Sequence, residues 1–382
     1  MRGSSDPGQI HIRRIGAAIA TGRIGVAPSS MSCFIVPPYL LERLANLDDP
    51  RFERAAAAAR ASRTLDDPFR SARVQERPGA RQAQRVPREP IARRTLEPPL
   101  RTIYDAGNTE SLPGRVVRKE GGPAGDDQSV TEAYDGLGRT HELFRLAYSR
   151  ASIDDNNLPL DASVHYGRDY DNAFWNGTQM VFGDGDGTVF RGFTSSLSVI
   201  GHELTHGVTQ YSANLEYRGQ SGALNESISD VFGALVEQRA LRQGAAEASW
   251  LIGAGLFTDQ VQGVALRSMM APGTAYDDDV LGKDPQPATM SGYRETEDDN
   301  GGVHLNSGIP NHAFYLAAIE LGGNAWERAG QIWYDTITGS LPETADFSVF
   351  AGRTADAAAA RYGADSVERR AVAAAWRKVG VT

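Results

Sequence analysis

His202, Glu203 and His206 form a His-Glu-x-x-His motif that could bind and use a metal ion. Residues four apart on an α-helix lie one turn apart on the same face, so both imidazoles can point at one metal. Glu203 follows the first histidine and can reach a water molecule beside that metal. Two histidines that merely fall four apart on a helix would show the same spacing, so the motif needs further support.

A candidate third ligand lies downstream, in the stretch 222–230. A catalytic zinc ion usually has three protein ligands and one open position. Glu226 follows His206 by 20 positions, which leaves room for a turn and a second, antiparallel helix. Asp230 lies four residues further on the same helical face, where it can accept the other N–H of a zinc-bound imidazole. Apolar neighbours on this helix argue against a solvated acidic face.

Residues 202–233 resemble the zinc-binding core of the thermolysin family of metallopeptidases. Residues 170–187 are similar to the family's substrate-binding edge strand and the turn after it. Downstream, residues 265–269 resemble the family's arginine segment and residues 299–308 resemble the segment with its second histidine. The resemblance covers residues 101–382, and several motifs in order are far more specific than His-Glu-x-x-His alone.

The resemblance implies that His202, His206 and Glu226 bind one zinc ion. Glu203 would be the general base for a metal-activated water that hydrolyses a peptide bond. The implied protein is a zinc-dependent endopeptidase. A catalytically silent, zinc-stabilised binding protein is the alternative, and loss of Glu203 or of His304 would favour it; both residues are present.

The resemblance also implies roles for residues around the metal. His304, with Asp299 as its partner, and Tyr217 would stabilise the tetrahedral oxyanion. Other matches would hold the substrate main chain or orient the zinc histidines: Asn172, the carbonyl of Ala173, Arg267, Asn225 and Asp230. Four apolar residues correspond to the family's primed-side pocket, which implies cleavage before bulky hydrophobic residues, although core residues would look the same: Phe190, Phe193, Val199 and Leu266.

Calcium sites of the family are not preserved in this sequence. Ser198 stands one turn before His202, and residues 248–254 are apolar where the family has clustered acids. Glu237 remains from that group, and Val264 replaces another expected ligand. Calcium binding stays open, but we expect the paired calcium sites to be absent.

Local patterns predict the elements that must position these residues. An apolar stripe at three- and four-residue spacing, with a serine N-cap at 195 or 196, predicts a helix over residues 195–211. Further helices are predicted at 130–153, 222–242, 308–321, 325–339, 346–361 and 365–378. Strands are predicted at 102–105, 115–118, 163–166 and 180–182.

These elements predict an α+β fold. Strands concentrate in residues 101–195 and helices in residues 196–382, with the His-Glu-x-x-His helix at the junction. The resemblance implies the same two-lobed, thermolysin-like zincin: a β-rich N-terminal lobe, a mainly α-helical C-terminal lobe and the zinc helix between them. A cleft between lobes is a favoured place for a substrate.

The first hundred residues differ in composition. Residues 1–30 are rich in Gly, Ser and Pro and are expected to be disordered, and either Met1 or Met31 could be the start. Residues 31–100 are expected to form a propeptide and linker, because Pro37-Pro38-Tyr39-Leu40 resembles the short propeptides of the protealysin-like branch. The proline- and arginine-rich stretch 65–100 predicts an extended linker, with cleavage expected within 60–100.

Charge supports docking of this segment. Residues 1–100 hold 17 Lys and Arg against 10 Asp and Glu, a net charge of +7, which leaves −16 for residues 101–382. We therefore expect the propeptide to act as an intramolecular inhibitor of a zymogen. The arginine-rich stretch lacks interleaved aromatic residues, so we expect no nucleic-acid partner.

Composition sets the remaining limits. The 382 residues, 41% hydrophobic and 23% charged, suffice for two domains, and no apolar run is long enough to span a membrane. The N-terminal apolar stretches are interrupted by Arg13, Arg14 and Arg23, which argues against a signal peptide. We therefore expect a protein that is cytoplasmic at synthesis, with secretion by a non-standard route left open. We also expect a monomer. Cys33, the single cysteine, excludes an internal disulfide; its thiolate could bind zinc, but such a residue is more often simply buried.

Overall fold

The computed structural model describes residues 33–74 and 96–382. The extension expected to be disordered at residues 1–30, the alternative start at Met31 and most of the expected linker therefore lie outside the described residues. No helix in the described ranges is both long and apolar enough to cross a membrane.

The N-terminal segment forms one short strand and two helices. Strand β1 spans Cys33–Phe34, helix α1 spans Pro38–Ala45, and helix α2 spans Glu53–Val74 after a 3-10 turn at Pro50–Phe52. Pro38 lies in the first turn of α1, where a missing N–H costs nothing. The two helices pack against each other, and α1 buries three leucines in the main core: Leu40, Leu41 and Leu44.

Helix α2 corrects the predicted start of the linker. Extended chain was expected from residue 65, but the helix continues through Pro68 to Val74. An alanine-rich run favours helix before this point, and tertiary contacts hold the rest. Asp171 N–H donates to Ser62 Oγ at 2.9 Å, and the Tyr170 hydroxyl donates to Asp66 at 2.6 Å. These contacts override the local preference that proline imposes.

A six-stranded sheet forms the centre of the N-terminal half. Its order is β1-β5-β6-β4-β2-β3, so the short strand at Cys33–Phe34 completes an edge. The other strands are β2 at Arg101–Thr109, β3 at Arg115–Lys119, β4 at Leu160–Tyr166, β5 at Ala173–Trp175 and β6 at Met180–Phe182. Helix α3, Gln128–Tyr148, packs between this sheet and the helical half.

The C-terminal half is mainly helical, as predicted. Its helices are α4 Leu197–Gln210, α5 Gly219–Leu241, α6 Asp299–Asn306, α7 Gly308–Leu321, α8 Ala329–Thr338, α9 Phe347–Tyr362 and α10 Val367–Lys378. Two small antiparallel pairs join β7 Leu251–Ile252 to β8 Arg267–Ser268 and β9 Asp277–Asp278 to β10 Gly282–Lys283. The predicted helices agree with these to within a few residues.

Helices α4 and α5 approach each other very closely at a glycine. A Cβ atom on Gly233 would lie 2.5 Å from the carbonyl oxygen of Ser198 and 3.0 Å from the backbone nitrogen of His202. Only a residue without a side chain allows this approach. The close packing brings the acidic residues of α5 within reach of the histidines on α4.

Candidate metal centre and substrate cleft

Helices α4 and α5 bring the three predicted zinc ligands together. The Nε2 atoms of His202 and His206 lie 3.0 Å apart. Glu226 places Oε2 at 3.5 Å from the first of these atoms and Oε1 at 3.5 Å from the second. All three side chains are at most 2% exposed. The spacing predicted from the sequence therefore becomes one buried cluster of donor atoms.

This cluster has dimensions that fit a tetrahedral zinc ion. Zinc bonds to nitrogen and oxygen of about 2.0–2.2 Å place neighbouring donor atoms about 3.4 Å apart. The observed separations of 3.0 and 3.5 Å lie close to that value. In addition, Glu226 Oε2 is buried and accepts no hydrogen bond from the described residues, although an unsatisfied carboxylate oxygen is costly. Two histidines and one glutamate are a donor set typical of catalytic zinc with an open position.

Carboxylate and amide groups orient the two imidazoles. His202 Nδ1 lies 2.7 Å from Asp230 Oδ1, and His206 Nδ1 lies 2.8 Å from Asn225 Oδ1. Each contact makes Nδ1 the donor and leaves Nε2 facing the cluster, which is the tautomer that a metal requires. Both partners were predicted from the sequence, and the structure brings them to the expected histidines.

Asp230 also belongs to a network that the sequence revealed only in part. Arg267 donates to both of its carboxylate oxygens at 2.8 and 2.9 Å, and Asn311 Nδ2 donates to Oδ2 at 2.8 Å. Asn311 was not predicted. Asn311 is the polar residue on the buried face of α7, whose other buried residues are apolar, but nothing in the sequence shows which helix it faces.

The network sets the protonation of the site in the absence of a metal. Burial lowers the pKa of His202, but the Asp230 and Glu226 carboxylates outweigh burial and bring that pKa to about 9. Burial raises the pKa of Asp230, whereas Arg267 and His202 lower it to about 2. For Glu226, the surrounding histidines outweigh burial and hold the pKa well below its ordinary value. A metal must therefore displace a proton from His202 in order to bind.

His304 and Tyr217 face the cluster from the opposite side. His304 Nδ1 lies 2.7 Å from Asp299 Oδ1, and its backbone N–H donates to the other oxygen of Asp299 at 2.9 Å. His304 Nε2 lies 3.5 Å from Glu226 Oε2 and 3.5 Å from the Tyr217 hydroxyl, which donates to Glu226 Oε1. Burial lowers the pKa of His304, but Asp299 and Glu226 produce a net rise. The imidazole is thus held as a donor that points into the cleft.

A left-handed turn gives His304 this position. Residues 300–302 have φ values of 54°, 86° and 73° inside the stretch Asp299–Asn306. Two of the three are glycines, which adopt positive φ without strain. The turn allows the backbone and side chain of His304 to contact the same carboxylate.

The predicted substrate-binding groups all contact the two residues that follow strand β1. Ile35 N–H donates to the carbonyl of Ala173 at 3.1 Å, and Val36 N–H donates to Asn172 Oδ1 at 3.0 Å. Arg267 Nη1 donates to the carbonyl of Ile35 at 3.0 Å. Residues of the N-terminal segment therefore occupy the edge of the sheet where the sequence predicted a substrate.

The groups predicted to be catalytic contact β1 or its neighbour β5. His304 Nε2 lies 2.9 Å from the carbonyl oxygen of Phe34. Glu203 is fully buried, and its Oε2 accepts the backbone N–H of Trp175 at 2.9 Å. Trp175 pairs with Cys33 across the antiparallel strands β1 and β5. Trp175 was not predicted, because its contribution comes from its backbone rather than from its side chain.

Helices α1 and α2 hold this strand in the cleft. Arg43 donates to the carbonyls of Val280 at 2.9 Å and Asp279 at 2.7 Å. Asp66 accepts Asn172 Nδ2 at 2.9 Å and thereby orients the amide whose oxygen binds Val36. The residues predicted to line an apolar pocket are all buried: Phe190, Phe193, Val199 and Leu266.

Comparison with known proteins agrees with this geometry. Residues 92–210 match the family described as "Thermolysin metallopeptidase, catalytic domain", and residues 213–381 match "Thermolysin metallopeptidase, alpha-helical domain". The "Extracellular metalloprotease" of Pectobacterium carotovorum subsp. carotovorum is 49% identical over 354 residues, which cover 91% of this chain and 96% of that relative. The "Extracellular minor metalloprotease" of Serratia marcescens (strain ATCC 21074 / E-15) is 43% identical over 308 residues, 79% of this chain and 81% of that relative.

A solved structure shows the same architecture. The "Precursor of Protealysin, Metalloproteinase from Serratia proteamaculans" has a TM-score of 0.81 and 49% sequence identity, and the match covers 92% of this chain and 100% of the solved chain.

The comparisons also correct one prediction. A protein that is cytoplasmic at synthesis was expected, but two of the relatives are named as extracellular metalloproteases.

Proposed function

We propose residue-level roles from one premise: the chain belongs to the thermolysin family of metallopeptidases and is a zinc-dependent endopeptidase made as a zymogen. The predicted family, two-lobed fold and enzyme class are thereby confirmed. The observation that carries the proposal is the position of residues 34–36, whose main chain contacts the groups expected to hold a substrate.

We infer that His202, His206 and Glu226 hold the zinc ion. Their donor atoms converge, and Asp230 and Asn225 fix the two imidazoles with Nε2 turned inward. Bound zinc supplies Lewis acidity toward a carbonyl oxygen and lowers the pKa of a water molecule beside it. We retain the prediction that paired calcium sites are absent.

Glu203 is the proposed general base. It lies on α4 directly after His202, is fully buried, and keeps one carboxylate oxygen bonded to the Trp175 backbone. This contact fixes the carboxylate next to the substrate edge. Glu203 takes a proton from the attacking water and passes it to the leaving amine.

His304 and Tyr217 are the proposed oxyanion donors. The contact with Asp299 leaves the Nε2–H of His304 directed at the carbonyl of Phe34, which stands where a scissile carbonyl would lie. Arg267, Asn172 and the carbonyl of Ala173 hold the main chain on the leaving-group side. Such preorganised donors act mainly on charge that develops during the reaction.

We propose that the N-terminal segment keeps the zymogen latent by filling the cleft. Residues 31–100 are then propeptide and linker after an extension of residues 1–30, and residues 101–195 and 196–382 are the two catalytic lobes. The Ile35 and Val36 hydrogen bonds exclude any other peptide from the same edge. Cleavage before bulky hydrophobic residues remains our proposal for specificity. We propose that the mature enzyme is a monomer and that it is exported, because two relatives are named as extracellular.

Substitution Glu203→Gln tests the mechanism. The variant should retain one zinc per chain, measured by atomic absorption, because Glu203 is not a proposed ligand. Its peptidase activity after removal of the N-terminal segment should fall about 10²–10⁴-fold, which is the contribution typical of general-base catalysis. Retention of more than a few per cent of activity would contradict the role of Glu203. Zinc without activity in the trimmed wild-type protein would favour a silent binding protein instead.

A further inference from the structure

We propose that Cys33 supplies a thiolate as the fourth ligand of the zinc ion in the zymogen. The inference rests on the proposed function, because it takes His202, His206 and Glu226 as the other three ligands. It assigns a role to the single cysteine of the chain and makes latency depend on a sulfur–metal bond as well as on an occupied cleft.

The position of the sulfur carries the inference. Cys33 Sγ, a ring nitrogen of His206 and a carboxylate oxygen of Glu226 all lie within 4.8 Å of one another. Cys33 is 4% exposed, and it packs against Tyr217 and Val303 on the wall of the metal centre. A tetrahedral zinc ion with a Zn–S bond of about 2.3 Å would place the sulfur about 3.5 Å from a neighbouring donor atom, so only a small movement is needed.

The donor set supplies a second observation. Three protein ligands leave one position of a tetrahedral zinc ion open. Glu226 Oε2 is buried and accepts no hydrogen bond from the described residues, which indicates that this cluster of donor atoms binds a cation. On binding, the thiol gives its proton to solvent and the sulfur takes the position that water would otherwise fill. No oxidation or reduction is involved.

Strand β1 also presents a problem that this ligand solves. The main chain of β1 and of the residue after it lies on the proposed substrate edge, with the Phe34 carbonyl at His304 and the Ile35 carbonyl at Arg267. A peptide held in this way next to Glu203 should be hydrolysed. A sulfur in the open zinc position keeps the attacking water away, so the strand can stay bound without being cleaved. Removal of the N-terminal segment would withdraw the thiolate and free that position together with the cleft.

X-ray absorption at the zinc edge tests the bond directly. The sample is the full-length chain carrying Glu203→Gln, in which we expect zinc to bind and self-processing to be lost. We expect one sulfur neighbour at about 2.3 Å together with three nitrogen or oxygen neighbours at about 2.0–2.2 Å. The same protein with the added substitution Cys33→Ser or Cys33→Ala should keep one zinc per chain and lose the sulfur neighbour. Circular dichroism and thermal unfolding of the two variants confirm that the fold is retained.

Thiol labelling separates coordination from simple burial. Because the chain has one cysteine, every modified thiol is Cys33. Removal of zinc with a chelator should raise the labelling rate at least about tenfold, since a metal-bound thiolate is blocked as a nucleophile. Burial alone would protect the thiol equally with and without zinc.

Two results would overturn the inference, and they are distinguishable. The first result is a full zinc content with only nitrogen and oxygen neighbours, together with a labelling rate that the chelator does not change. This result would refute Cys33 as a zinc ligand and leave the proposed function intact. A full-length chain that binds no zinc at all would refute both.

Discussion

His304 is a residue whose position is fixed from two directions. Asp299 contacts both its backbone N–H and its Nδ1, and the left-handed turn at residues 300–302 makes this double contact possible. The result is a donor with one orientation before any substrate arrives. A group prepared in this way should act on the transition state more than on the bound substrate.

Substitution His304→Ala should therefore lower kcat of the trimmed enzyme by about 10²–10³-fold with little change in KM. Steady-state kinetics on one peptide substrate measure both values. Asp299→Asn is the matched control, since it keeps a group of the same shape beside Nδ1 and should cause a smaller loss of kcat. An effect confined to KM would assign His304 to substrate binding.

His165 shows how a histidine far from the zinc cluster can stabilise the fold. It lies on β4 with a φ of 55°, and its ring nitrogens lie 2.9 Å from Asp184 and 2.9 Å from Asp127. The hydrogen bond to Asp184 raises the pKa of His165 most, burial lowers that pKa, and Asp127 raises it further. The net result is a pKa of about 9. The ordinary value is about 6.5, so the folded state binds a proton that the unfolded state releases.

The difference in Tm between wild type and His165→Gln should therefore depend on pH. A raised folded-state pKa contributes stability that is fully present below about pH 6.5 and is lost as pH rises through about 9. Thermal unfolding of both proteins at several pH values between these limits measures the difference, and titrating groups that do not contact His165 cancel in the comparison. A difference that grows toward pH 9 would contradict the proposed protonated bridge.

At the level of elements, α2 acts as a clamp on the substrate edge. Ser62 and Asp66 are both at most 1% exposed, and they contact Asp171, Tyr170 and Asn172. The helix thus positions the same asparagine that binds the backbone of Val36. Docking of the N-terminal segment and organisation of the cleft are coupled through this one side chain.

Substitution Asp66→Ala should loosen the clamp and speed processing of the zymogen. Loss of a buried carboxylate that accepts hydrogen bonds costs about 1.5–3 kcal/mol, so the undocked fraction should rise about tenfold or more. A time course of chain length on denaturing gels measures the rate. Asp67→Ala is the matched control, because Asp67 is the exposed neighbour on the same helix. Equal rates for both variants would remove Asp66 from the docking interaction.

At the level of the whole molecule, α4 and α5 pack closely at Gly233, beside Ser198, one of the positions that led us to expect no paired calcium sites. Ser198 Oγ lies 3.1 Å from Ser196 Oγ and accepts the N–H of Gly253 at 3.1 Å. Glu237 lies half-buried nearby; burial raises its pKa, while hydrogen bonds with Ser198 oppose the rise. The Ser198 hydroxyl thus satisfies the backbone N–H of Gly253.

Thermal stability should accordingly depend little on calcium. We expect a change in Tm of less than about 2 °C between millimolar calcium and an excess of a chelator that is specific for calcium. A filled calcium site would give a larger change, because a ligand at 100 times its Kd adds about 2.7 kcal/mol to the free energy of unfolding. Scanning calorimetry of the zinc-loaded protein measures this change. A large rise in Tm with calcium would show that other oxygen atoms form a site.

The sequence alone was sufficient for features that depend on local spacing. Helical periodicity placed His202 and His206 on one face and located most helices to within a few residues, because residues three or four apart in a helix are neighbours wherever the helix lies. The proline in α2 misled this local reasoning, because contacts with Tyr170 and Asp171 hold that helix.

Only the tertiary structure decided which distant residues meet. The hydrogen bond between Val36 and Asn172 joins residues 136 positions apart, and strand register over such a distance has no local signature. The same holds for Asn311 at Asp230 and for Cys33 at the metal centre. Sequence spacing thus determined the chemistry available on α4 and α5, whereas long-range pairing determined that the chain's own N-terminal strand lies in the cleft.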